Sequence, residues 1–292
     1  NFLRFAATLI GHTTDWNPPR QLLRAGLYWP DLETPDISEL RDVWRNAAPV
    51  AVVTFYKALV QAGTLAPIDA LIDALYVRGV NPLPIYISSL KDPVSVELLT
   101  SICEEIAPSI VLNATGFAVS QPGAPRTGTA FDTMGCPVLQ IVLGGSTHAG
   151  WESNVQGLSP KDLAMNVVLP EVDGRILARA ISFKSEARYD PKTEISVAYH
   201  EAVPDRVDFT ADLAARWVRL YQTPAQDRRI AIVLANYPNK DGRLGNGVGL
   251  DTPASAINVL NLLAHHDYTV DGIPSDGNAL MQKLSAGPTN AL

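Results

Sequence analysis

From Val50 onward the chain alternates two hydrophobic periods, and that alternation constrains its fold more than any other feature. Val50 to Tyr56 is a β-branched and aromatic run of strand length. Thr64 to Arg78 then places Ile68, Leu71, Ile72 and Leu75 on one side of a helix, with Gly79 in the closing position. Leu83 to Ile87 reads as strand, Val94 to Ile106 as helix and Ser109 to Leu112 as strand; after the Gly/Pro-rich turn Gln121 to Gly128, Cys136 to Leu143 reads as another buried strand. Continuously apolar strands separated by helices predict a parallel sheet covered on both faces.

Ahead of this pattern, residues 1–48 read as a lead-in from a preceding region, with a short strand at Leu27 to Trp29 and a helix at Asp36 to Asn46. Beyond it, Ile176 to Phe183 and Glu194 to Tyr199 are less hydrophobic strands, expected as a hairpin-like insertion. Asp208 to Tyr221 has Phe209, Leu213, Trp217 and Leu220 at helical spacing, and the first pattern then recurs as a strand at Arg229 to Ala235 and a helix at Thr252 to His265. Thr64 and Thr252 are read as the caps of corresponding helices. The expected fold is therefore α/β: two Rossmann-like or flavodoxin-like parallel-sheet units, residues 49–190 and 191–292, with a small β insertion between them. The start at Asn1 without Met and the close at Gly287 to Leu292 lead us to expect a piece of a larger protein.

Composition excludes several function classes. A formal net charge of -7 argues against a surface for nucleic-acid phosphates, which needs clustered Lys and Arg. Two cysteines, Cys103 and Cys136, have no metal-ligand spacing and make no disulfide framework, so a reducing cytoplasm is expected. No run of 18 uncharged apolar residues is present, so no membrane span is expected.

Polar chemistry collects between Gln140 and Gly174. The apolar run from Pro137 to Leu143 is expected to end at Gly144-Gly145 and feed a loop carrying His148, Trp151 and Glu152. His148 and Glu152 stand four apart and would share a face in a helix, as metal ligands or proton carriers, or else as solvated loop residues. Trp151 would line a flat aromatic ligand or belong to the core. Ser159-Pro160 reads as a helix start and Pro170 as its stop, so that Glu171 projects from a turn completed by Asp173-Gly174. Apolar neighbours would desolvate Glu171 into a general base; the other reading is a solvated turn acid paired with Arg175.

The glycine-rich stretch Asn236 to Asp251 is too long for a dinucleotide turn and lacks the Gly-Lys-Ser/Thr of a phosphate loop, so no ATP site is expected. It is either a mobile surface loop or one that closes on a ligand with Lys240 and Arg243 as anion anchors. His265 and His266 lie at a helix C-terminus, where capping is ordinary.

VVLPEVDGRI at Val167 to Ile176, preceded by GWESNVQGLSPKDLAMN, together with RIAIVLANYPNKDGRLGNGVGLDTPAS at Arg229 to Ser255, resembles the large subunit of cobaltochelatase, related to that of magnesium chelatase. The resemblance runs from about Arg24 to the end of the chain. It implies a subunit that holds a tetrapyrrole and inserts a divalent metal, driven by separate AAA+ ATPase subunits. The implied substrates are Co²⁺ and hydrogenobyrinic acid a,c-diamide, with Glu171 as the implicated carboxylate. His148 would join it in catalysis and, with Glu152, in holding the metal; Trp151, Lys240 and Arg243 would contact the macrocycle. The alternatives are insertion of Mg²⁺ into protoporphyrin IX, or a small-molecule-binding module without chemistry. On the leading reading the isolated chain is expected to be inactive.

Overall fold

A computed structural model describes residues 2–16, 22–192, 194–235 and 244–287. The chain forms two compact units, residues 1–218 and 219–292.

The first unit opens with α1 (Phe2–Leu9), β1 (Ala25–Leu27) and α2 (Ile37–Val43). Asp36 starts α2 through a reciprocal capping box with Glu39. There follow β2 (Val50–Tyr56), α3 (Lys57–Ala62), α4 (Ala66–Val77), β3 (Asn81–Ile87), α5 (Pro93–Ile106), β4 (Ile110–Asn113), β5 (Val138–Thr147) and α6 (His148–Ser153). A helix then runs as α7 (Pro160–Leu163), a π-helical turn (Ala164–Val168) and α8 (Leu169–Val172). The unit closes with β6 (Ile176–Lys184), β7 (Arg188–Asp190), β8 (Ile195–Val197), β9 (His200–Ala202) and most of α9 (Pro204–Gln222).

The sheet has the order β1-β3-β2-β4-β5-β6-β9. β3, β2, β4, β5 and β6 are parallel; β1 and β9 lie antiparallel at the edges. Reading only the parallel strands, the second in sequence lies on one side of the first and the rest on the other, which is the flavodoxin-like order. The class expected from the sequence is thus found. Side-chain alternation on β2 explains why both faces need helices. Ala51, Val53 and Phe55 pack with Ile68, Leu71 and Leu75 of α4 and with Ala211 and Val218 of α9. Val52 faces a second core with Leu40 of α2 and Leu99 of α5.

Several expectations need correction. Ile176 to Phe183 is no insertion: it joins the main sheet beside β5 as its fifth parallel strand. The small antiparallel pair is instead β7 with β8. β5 does not end at Gly144-Gly145 but continues to Thr147, because Gly144 lies where a Cβ would come 2.6 Å from the Phe183 ring of β6. Leu65, not Thr64, occupies the cap of α4, and it makes no side-chain capping bond.

The second unit contains α10 (Thr252–His265) and α11 (Gly277–Ser285), packed around Ala256, Ile257 and Leu280. Asp251, rather than Thr252, caps α10 by accepting the Ala254 N–H. Arg229 to Ala235, expected as a strand, pairs with no strand among the described residues, and no second parallel sheet forms among them. Alternation of apolar residues is a half-signal: without a neighbouring strand to take its backbone groups, such a run makes no ladder.

Candidate functional site

The parallel strands of the first unit point their C-terminal ends toward one edge of the sheet, where open α/β folds bind ligands. Two groupings of polar and aromatic side chains stand there, tied together by the helix from Pro160 to Val172.

The first grouping follows β5. Thr147 accepts the Gly150 N–H and caps α6, so His148 is the first residue of a helix and not part of a loop. The imidazole of His148 stacks on Trp151 with ring centroids 5.6 Å apart and 22° between planes, and it lies 5.4 Å from Phe183. Trp151 is half-buried, with Phe183 at 5.0 Å and the Arg206 guanidinium 4.6 Å from its ring. Arg206 is itself anchored by donating to the Ala180 carbonyl at 2.6 Å. Glu152 is exposed on the same short helix. Nearby, His200 of β9 approaches Ser182 Oγ through Nδ1 at 3.4 Å; burial, with Lys184 adding to it, holds its pKa below the ordinary value.

Gly145 donates its N–H to Asp162 at 3.1 Å, and Asp162 also accepts from Ser159, the cap of α7. The expected helix start is therefore present, but the expected stop is not: the helix passes through Pro170 and ends at Val172. The π-helical turn explains how. Pro170 offers no N–H, and the Met165 carbonyl one wide turn earlier takes the N–H of Phe117 instead, at 2.7 Å. Glu171 consequently sits on the last helical turn, exposed, and makes no ion pair or side-chain hydrogen bond among the described residues. Its apolar neighbours in the sequence do not bury it. Nor does Glu171 pair with Arg175.

Arg175 pairs instead with Asp173, and these two organise the second grouping. Their side chains are each 1% exposed and meet at 2.8 Å. Asp173 accepts the N–H groups of Val119 and Ser120 at 2.8 and 2.9 Å, which pins the loop after β4. Burial would raise the Asp173 pKa, but the Ser120 and Val119 amides and Arg175 together hold it below the ordinary value. Arg175 continues to the Thr115 carbonyl and to Gln140 Oε1, both at 3.3 Å. There it joins a buried row in which Thr54, Asn113 and Gln140 stand in register across β2, β4 and β5. Thr54 donates to Asn113 at 2.7 Å and Asn113 to Gln140 at 2.8 Å.

Above this row a crevice of about 150 Å³ opens between the ends of β2 and β4, where the strand order reverses. Tyr56, Lys91, Gly116, Phe117 and Arg175 line it. Gly116 is obligatory there: a Cβ would stand 2.9 Å from the Met165 carbonyl oxygen. A larger pocket of about 630 Å³ lies in the second unit, but apolar side chains such as Ile230, Leu260 and Leu280 dominate it and it holds no cluster of reactive groups.

Of the residues singled out from sequence, the structure joins His148 to Trp151 and places Glu152 beside them. Glu171 stands apart on its own helix, and no group of three His, Cys, Asp or Glu among the described residues is arranged to hold a metal ion. Lys240 and Arg243 lie outside the described residues. Sequence reasoning missed Arg206, His200 and the Asp173–Arg175 network. The network had one signal: Thr54, Asn113 and Gln140 are polar residues inside otherwise apolar strands, as buried hydrogen-bonded rows require.

The family model described as CobN/Magnesium Chelatase matches residues 1–292. The chain is 50% identical to an aerobic cobaltochelatase subunit CobN from a Sinorhizobium species over 99% of its length, and 40% identical to the subunit of that name from Pseudomonas aeruginosa over 98%. It is 26% identical over 97% of its length to the chloroplastic magnesium-chelatase subunit ChlH of rice. Among solved structures, the catalytic subunit of cobaltochelatase from Mycobacterium tuberculosis superposes with a TM-score of 0.74 at 30% identity, over 97% of this chain and 23% of that one. The chain spans 23% of the length of the two CobN relatives.

Proposed function

The chain belongs to the CobN/magnesium chelatase family, and from that premise we propose that it forms part of the tetrapyrrole-binding catalytic subunit of an ATP-dependent cobaltochelatase. The substrates on this reading are Co²⁺ and hydrogenobyrinic acid a,c-diamide, in aerobic cobalamin biosynthesis. The observation that carries the choice of metal is 50% identity to an aerobic cobaltochelatase subunit against 26% to a magnesium-chelatase subunit, each over nearly the whole chain. ATP is hydrolysed by separate AAA+ partner subunits, the protein works in the cytoplasm, and this stretch of chain is inactive without the rest.

Insertion requires a metal to shed water and a macrocycle to give up its pyrrole protons, so a carboxylate and an imidazole beside the ring would serve as passing ligands and proton acceptors. Glu171 and His148 take these roles, with Glu152 one helical turn from His148. Both lead residues are exposed and make no ion pair among the described residues, which suits groups that must meet an incoming substrate. A flat apolar macrocycle lying over Glu171 would itself desolvate the carboxylate and favour its taking up a proton. Trp151 offers an aromatic wall, and Lys240 and Arg243 the cationic rim.

The test is Co²⁺ insertion by the full-length subunit with its ATPase partners. Glu171→Gln is expected to slow insertion by roughly 100-fold, the scale of a lost general base, with tetrapyrrole binding retained. Insertion at the normal rate would remove Glu171 from the reaction. Efficient insertion of Mg²⁺ into protoporphyrin IX, with Co²⁺ refused, would turn the assignment to a magnesium chelatase.

A further inference from the structure

We infer that the crevice between the ends of β2 and β4 is a carboxylate subsite, in which Arg175 and Lys91 meet the anion and Phe117 supports the flat apolar body that carries it. The identity of that body rests on the reading above: it is a tetrapyrrole, and the anion is one of its peripheral carboxylates.

Position is the first argument. The crevice lies where the strand order of a flavodoxin-like sheet reverses, so the loops after β2 and β4 part and leave a gap. Arg175 supplies the second. It is 4% exposed, its two terminal nitrogens bond Asp173, Thr115 and Gln140, and its Nε is buried without a hydrogen-bond partner. A buried cationic donor left unpaired is costly, and native proteins keep few of them.

Phe117 supplies the third. It is a non-glycine residue at φ 63°, a left-handed conformation that costs an aromatic side chain about 1 kcal/mol or more. The Met165 carbonyl holds it there through the Phe117 N–H, and Gly116 lets the two segments approach. The result is a ring 52% exposed at the mouth of a crevice. A ring held there offers a flat ligand a face to lie against.

Charge and size choose the anion. Asp173 already balances Arg175, so Lys91 supplies the remaining positive charge on the rim. One net cation suits a singly charged carboxylate better than a phosphate dianion. A volume of about 150 Å³ admits a carboxylate arm while leaving a macrocycle outside, against the exposed ring.

The test is equilibrium binding of mesoporphyrin IX and of its dimethyl ester to the full-length protein, in the same detergent buffer. The diacid is expected to bind about tenfold more tightly than the ester, the scale of one charge-assisted hydrogen-bonded pair. Lys91→Ala should remove most of that preference, and Phe117→Gly, which relieves the backbone strain, should weaken both forms severalfold. Neither variant touches the buried pair, so each is expected to fold. Equal affinity for acid and ester, binding of neither, or a preference unchanged in Lys91→Ala would overturn the subsite. Competition by millimolar inorganic phosphate would overturn the choice of carboxylate. Metal insertion, read separately, distinguishes the two claims: insertion without acid preference sinks the subsite alone, and acid preference without insertion sinks the chelatase reading alone.

Discussion

Asp173 and Arg175 face each other at 2.8 Å with both side chains 1% exposed, and between them they tie the loop after β4 to the start of β6. Such a pair is more expensive to break than to replace. Arg175→Met is expected to cost about 3–5 kcal/mol in urea unfolding, since it strands a buried carboxylate. Asp173→Leu combined with Arg175→Met should recover a clear part of that loss. If the double variant is no more stable than the single one, the cost comes from packing and not from the uncompensated charge.

The same carboxylate gives the protein an acid limit. Its pKa is lower in the folded chain than the ordinary 3.8, so the unfolded state binds the proton first. The stability it contributes is complete above about pH 4 and is lost as pH falls below that toward the folded value. Urea midpoints measured downward from pH 5 should fall less steeply in Asp173→Asn than in the parent. Parallel curves would mean that other carboxylates set the acid limb.

Cys103 and Cys136 are free thiols, and burial pushes their pKa values up to about 12 and about 11. The nucleophile is the thiolate, so neither should react at pH 8 in the folded protein. Iodoacetamide followed by mass spectrometry is expected to label both only in denaturant. Rapid labelling of Cys103, which is 4% exposed, would show that α5 opens from the sheet.

Gly116 and Pro170 hold the crevice loop against the helix from opposite sides. Gly116→Ala drives a Cβ toward the Met165 carbonyl and is expected to cost about 1–3 kcal/mol, as overpacking usually does. Pro170→Ala restores an N–H that competes for the Met165 oxygen. Hydrogen exchange at Phe117 should then speed up while the sheet amides stay protected. An unchanged Phe117 rate would mean the loop is held by Asp173 alone.

The sheet was legible because its strands are buried on both faces and its helices are amphipathic; Val50–Tyr56 matches its expected span, and α4 and α5 fall within a few residues of theirs. Ile176 to Phe183 was misread because β9 covers only the last residues of β6, leaving residues such as Ile176 and Leu177 exposed and its apolar signal low. Arg229 to Ala235 failed the opposite way, its apolar character having no sheet to join among the described residues. At the site, the spacing of His148, Trp151 and Glu152 was readable because helical neighbours are local in sequence. Arg206 over Trp151, and Arg175 beneath the crevice loop, are contacts across 55 and 60 residues that no local pattern encodes. The proline rule misjudged Pro170 because the partner its missing N–H makes room for, Phe117, comes from another loop.

The row of Thr54, Asn113 and Gln140 crosses three mostly apolar strands in register, and apolar side chains alone would let those strands slide. A shift of β4 by one residue would bring Leu112 to the place of Asn113 and leave a hydroxyl and an amide stranded in oil. The row is thus a vernier for the sheet: it fixes the height at which the loops after β2 and β4 emerge, and with it the width of the gap between them.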